Sequence, residues 1–116
     1  MPLLSILTSA APPAGRAELF AGLTRLLARE LDKPEAYVMV ALAPRAELSF
    51  AGDAGTPALF AELKNVGTLA PARVAELSRL LCAELGARFG VAQDRIYIEF
   101  TNADGALWGW NGDTFA

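Results

Sequence analysis

Short aliphatic runs and helical stripes alternate along the chain in a fixed order. Leu3 to Thr8 is rich in aliphatic residues and stops at Ala10-Ala11-Pro12-Pro13, where prolines cannot continue a strand ladder, so it predicts a first strand. Leu19, Leu23, Leu26, Leu27 and Leu31 then recur at helical spacing, with Arg16, Glu18, Arg25 and Arg29 on other faces, which predicts a helix from about Ala14 to Leu31. Pro34 disfavours helical geometry at Lys33, and the apolar run Tyr37 to Ala43 predicts a second strand. The pattern then repeats. Ala58 to Val66 reads as a strand, about Ala70 to Phe89 as a helix, and Arg95 to Thr101 as a strand. Pro71 suits the first turn of that helix, Gly90 suits the residue past its end, and Val74, Leu77, Leu81 and Leu85 form its apolar stripe.

The helix-to-strand joints match in type, Lys33-Pro34-Glu35-Ala36-Tyr37-Val38 in one half and Gln93-Asp94-Arg95-Ile96-Tyr97-Ile98 in the other, so the chain reads as a duplicated β-α-β unit. Two such units with right-handed crossovers share one four-stranded mixed sheet and place both helices on one face, an α+β fold in a single domain over residues 1–116. Leu3, Val38, Val40, Phe60 and Ile98 lie in strands that read as apolar on both sides, which predicts that the second sheet face is buried by oligomerisation. The tail Leu107-Trp108-Gly109-Trp110 reads as a short aromatic strand suited to extending a neighbour's sheet. Gly52-Asp53-Ala54-Gly55-Thr56-Pro57 is a loop without the glycine and lysine spacing of a phosphate cradle.

Composition narrows the chemistry. At 53% hydrophobic against 20% charged, the 116 residues are too apolar for disorder and rich in apolar surface for a small monomer. A net charge of −3 with no basic stripe gives no footprint for nucleic acid. With no histidine and one cysteine, histidine base catalysis, histidine metal ligation and an internal disulfide are excluded; neither a metal nor another cofactor is implied. Cys82, among Leu80, Leu81 and Ala83, reads as a small inert hydrophobe. The apolar opening Met1 to Ala11 lacks a charged start and is too short to span a bilayer, so the expected setting is cytoplasmic, without a membrane partner.

Several motifs, in order along the chain, carry a resemblance. Met1-Pro2-Leu3, Lys33-Pro34 before Tyr37-Val38, Phe50-Ala51-Gly52, Asp94-Arg95-Ile96-Tyr97-Ile98 and the ending Gly109-Trp110-Asn111-Gly112-Asp113-Thr114-Phe115-Ala116 together resemble the macrophage migration inhibitory factor family. The resemblance covers nearly the whole chain. It implies a homotrimer with sheets lining the centre, pockets between subunits, and tautomerase activity on phenylpyruvate-like or dopachrome-like compounds, with an aryl keto acid as the small-molecule partner.

The resemblance also implies roles for particular residues. Removal of Met1 would convert the Pro2 nitrogen from an amide into a secondary amine that can act as general base for keto-enol interconversion. A free α-amino group with a pKa near 8 is about one tenth unprotonated at pH 7, and a fall of roughly two units, costing about 2.7 kcal/mol, would free about nine tenths. Lys33 would hold a substrate carboxylate and disfavour protonation of the amine, and Val66 would reach the substrate through its backbone amide. Tyr97 would come from the neighbouring subunit, while Trp108, Trp110 and Phe115 would wall the pocket and keep water from Pro2. Trp108 is larger than the aliphatic residue common at that place in the family, which narrows the expected pocket.

Two positions depart from the family pattern. Glu99 stands where the vertebrate factor has asparagine, and a bare carboxylate there would repel an acidic substrate, so Glu99 is expected either to pair with a base such as Arg95 or to change the preferred substrate. Pro57-Ala58-Leu59-Phe60 lacks the two cysteines that follow the matching proline, which removes support for thiol-disulfide chemistry. Three other functions share the pattern: a binding or signalling module with incidental catalysis, a dehalogenation or decarboxylation using the same proline, and a ferredoxin-like regulatory domain. The last leaves Pro2 and the aromatic tail without a purpose.

Overall fold

The computed structural model describes residues 1–116. The expected order of elements is present: β1 (Leu3–Thr8), α1 (Arg16–Leu31), β2 (Met39–Ala43), β3 (Leu59–Val66), α2 (Pro71–Phe89) and β4 (Ile96–Ala103), followed by the short strands β5 (Gly109–Trp110) and β6 (Asp113–Thr114). The main sheet is mixed, in the order β2-β1-β3-β4. β1 runs parallel to β2 and antiparallel to β3, and β3 runs parallel to β4, so each half contributes one parallel β-α-β unit and the two meet at the central β1-β3 pair.

Both helices cover one sheet face. Leu4, Ile6 and Thr8 of β1 and Leu59, Ala61 and Leu63 of β3 are buried there beneath Leu19, Leu23, Leu26, Leu27 and Leu31 of α1 and Leu77, Leu81, Leu85 and Phe89 of α2. Each fully buried leucine contributes about 1.5–3 kcal/mol of transfer free energy, so this layer dominates stability. Cys82 packs half-buried against the same core. Arg73 ties the start of α2 to the end of α1 through Glu30, at 2.8 Å. That ion pair holds the Glu30 carboxyl below its usual range.

Several boundaries differ from expectation, each for a local reason. A left-handed backbone at Gly15 (φ 75°) delays α1 to Arg16. The joints before β2 and β4 are single 3₁₀ turns, Glu35–Tyr37 and Gln93–Arg95, closed by Val38 N–H to Glu35 and Ile96 N–H to Gln93 carbonyls, so Tyr37 and Arg95 precede the strands they were expected to open. On α2, Val74 is only half-buried, and Phe89 completes the buried stripe. Gly105–Leu107 is another 3₁₀ turn, and β5 pairs antiparallel with β6 of its own chain.

The other sheet face has no cover within the chain, and the residues expected to line it divide between the two sides. Val38, Val40 and Ile98 pack against the helical core, whereas Leu3 and Phe60 point away from it, in register with Met39 and Tyr97 respectively. This open face is mostly apolar over β1 and β2, where Leu3, Ser5 and Leu7 align with Met39, Ala41 and Ala43. It becomes polar toward β4, where Glu62 and Lys64 align with Glu99 and Thr101. No helix is long and apolar enough to cross a membrane.

Candidate active site

β1 begins at Leu3 in the middle of the sheet, so its pairing with neighbours on both sides holds the preceding residue firmly. Met39 N–H donates to the Pro2 carbonyl at 3.0 Å, and the Pro2 side chain is fully buried. The Met1 ammonium donates to the Tyr37 carbonyl at 2.9 Å. Burial, and then the nearby Lys33 charge, hold this amine below the ordinary value of 8.0. Both influences disfavour a positive charge at this end of the sheet.

A cleft of about 230 Å³ opens over Pro2, lined by Met1, Leu3, Tyr37, Met39, Trp108 and Trp110, with Phe115 at its edge. Its wall is an aromatic cluster. The Trp110 and Phe115 rings stack at 5.9 Å between centroids, and Tyr37 meets both edge-on at 5.3 and 6.0 Å. Trp108, Trp110 and Phe115 thus all line the one cleft. Tyr37 is an addition: the 3₁₀ turn after Pro34 directs it to the cleft, and its place directly after the Lys33-Pro34 joint was the available signal. Phe115 N–H is shared between the Gly105 and Trp108 carbonyls, at 3.0 and 3.2 Å, which seats the tail against the turn.

Lys33 follows α1 and is half-buried, its ammonium donating to the Val66 carbonyl at 3.2 Å. Val66 is buried and lies in a second depression with Gly67, Thr68, Asn102 and Asp104, outside the aromatic cleft. Phe115 borders both hollows. In this arrangement the Val66 group in use is its carbonyl, which holds Lys33.

Tyr97 and Glu99 stand apart from this cleft. Tyr97 pairs with Phe60, and Phe60 with Leu7, which lies five residues along β1 from Pro2, a separation of roughly 17 Å at about 3.4 Å per residue. Tyr97 is 65% exposed, on the open face, and its ring rests on Phe50 at 5.0 Å. Glu99 follows on the same face and accepts from the Thr101 hydroxyl at 3.2 Å. The expected pairing of Glu99 with Arg95 is absent. Arg95 lies in the turn before β4 and directs its guanidinium to the carbonyls of Pro57, Phe50, Asp53 and Thr56, at 3.0, 3.2, 3.0 and 3.0 Å. Four acceptors presented by one loop match the fork of donors better than a single exposed carboxylate on the strand.

Fold and site together define a two-repeat α+β protein with an aromatic cleft built over Pro2. The chain belongs to the macrophage migration inhibitory factor (MIF) family, whose profile it matches over residues 1–116, and whose members include tautomerases and proteins with cytokine-like roles. It is 34% identical over 117 residues to macrophage migration inhibitory factor of Rattus norvegicus, with the full length of both chains covered. Among solved structures, it superposes on a homologue from Prochlorococcus marinus with a TM-score of 0.92, at 38% identity, covering 98% of this chain and 99% of that one. The factor from Trichinella spiralis gives 0.90 at 31% identity, over 97% and 99% of the two chains.

Proposed function

We propose that this protein is a tautomerase that interconverts keto and enol forms of aryl keto acids such as phenylpyruvate, working as a homotrimer with Pro2 as general base once Met1 is removed. The observation that carries the proposal is the burial of Pro2 at the floor of an aromatic cleft, at an end of the sheet where desolvation and Lys33 lower the proton affinity of the chain's amine. The freed secondary amine takes a proton from the carbon beside the ketone. The C–H electron pair becomes a C=C bond as the carbonyl π pair moves to oxygen, which takes the proton back from the Pro2 ammonium, and the reverse sequence restores the keto form. No bond order changes beyond this shift, so no redox partner is required.

Lys33 supplies the charge that holds the substrate carboxylate, with Val66 anchoring the lysine and offering its backbone nearby. Trp108, Trp110, Phe115 and Tyr37 take the aryl ring and exclude water. A cleft of about 230 Å³ is smaller than most ligand pockets, which supports its completion by a second chain. The mostly apolar half of the open sheet face supports the same assembly, and the exposure of Tyr97 on that face, out of reach of its own Pro2, supports its serving a neighbour. Glu99, two residues beyond on the same face and unpaired with Arg95, favours substrates whose far end carries no negative charge.

The test combines intact mass with turnover. Protein whose mass lacks Met1 should isomerise phenylpyruvate, protein retaining Met1 should not, and Pro2→Gly should lower kcat/KM by about 100-fold or more. Full activity in Met1-bearing protein would refute the proposal.

A further inference from the structure

Phe50, Ala51, Gly52 and Asp53 form a tight turn outside the main sheet. Phe50 and Asp53 exchange both backbone hydrogen bonds, at 3.1 and 3.0 Å, while Ala51 (φ 54°) and Gly52 (φ 77°) both adopt the left-handed region. That geometry costs strain at Ala51, and something must hold it. The Arg95 guanidinium does so: it satisfies four carbonyls of residues 50–57, lies 5.2 Å from the centre of the Phe50 ring, and its side chain is only 13% exposed. The Phe50 ring in turn is the aromatic partner of Tyr97, tilted 53° to it. Tyr97 is otherwise an exposed ring on an uncovered strand face, with rotamers left open by its own strand.

We infer that Phe50, clamped by Arg95, is a positioning residue that fixes the orientation of the Tyr97 ring for entry into a neighbouring chain's cleft. This rests on the reading that Tyr97 of one chain closes the cleft of the next. A pre-set ring loses little rotamer freedom when substrate binds, so the device acts on substrate affinity and leaves proton transfer alone.

A kinetic cycle tests it. Phe50→Leu should raise KM for phenylpyruvate about three- to tenfold with kcat nearly unchanged, the effect of losing an aromatic pair from uniform binding. Phe50→Tyr keeps the ring and should restore KM to within about twofold of the parent. Arg95→Lys keeps the charge but not the fork, and should raise KM in the same way. In a Tyr97→Leu background, Phe50→Leu should add nothing, because its effect passes through the missing ring. An equal effect of Phe50→Leu in both backgrounds, or a loss confined to kcat, assigns Phe50 to folding or assembly and overturns the inference. An Arg95→Lys protein with the parent's KM removes the clamp from it. Unchanged kinetics in Tyr97→Leu itself would instead refute the placement of Tyr97 at the site.

Discussion

Lys33 sits half-buried with its ammonium on the Val66 carbonyl, near enough to the chain's amine to lower its proton affinity. An amine that works unprotonated gives a kcat/KM that rises with pH through its pKa and then levels. Removing the neighbouring cation raises that pKa, so Lys33→Gln should move the rising limb to higher pH, and should raise KM for carboxylate substrates about tenfold or more through loss of a charge-assisted contact. A pH-rate profile checks both. The Asp53 carboxyl is also lowered, but for an acid this favours the charged form. Hydrogen bonds from the Thr56 hydroxyl, and from the Thr56 and Gly55 N–H groups, lower its carboxyl from 3.8 to about 2. The order it gives the loop is therefore fully present above pH 3.8 and fades as pH falls through about 2. Following loop amides by NMR in acid should show this transition, and Asp53→Asn should abolish it. That Pro2 and the tail aromatics line one cleft agrees with their standing in motifs that the sequence displays. The Arg95 contacts were not legible there, since its four acceptors are backbone groups of a loop some forty residues earlier, and backbone carbonyls leave no mark in a residue pattern.

The end of α2 depends on close approach. A methyl group added at Gly86 would stand 2.9 Å from the Val91 carbonyl, which belongs to backbone turning back toward β4, while Val91 N–H bonds the Gly86 carbonyl at 3.1 Å. Gly86→Ala should therefore destabilise the fold by about 1–3 kcal/mol despite alanine's better helix propensity, measurable by urea unfolding. The elements themselves were plain from sequence, because aliphatic residues such as Leu19, Leu23 and Leu27 repeat at helical spacing and prolines bound the runs. What failed were ends and faces. Tyr37 and Arg95 carry strand-like neighbours yet fall in 3₁₀ turns, and a run such as Val38 to Val40 does not tell which alternate residue meets the helices. That choice is made by register with β1, a contact distant in sequence.

At the scale of the whole molecule, an open face that is mostly apolar over β1 and β2 is the surface a second copy would cover. Leu7 is 36% exposed there, so Leu7→Arg should shift the proposed trimer toward monomer and remove activity, which light scattering and turnover would follow together. Retention of three-chain mass in that variant would place the contact elsewhere. The central position of β1 has a consequence for maturation. Once that strand is inserted between β2 and β3, the Met1–Pro2 peptide bond is drawn against the sheet, with Pro2 sealed and the leading amine tied to Tyr37. An excising peptidase needs this end extended and free. On the proposed mechanism, Met1 would therefore have to leave before this end of the sheet closes, and molecules that fold ahead of its removal would be locked out of catalysis for as long as they stay folded.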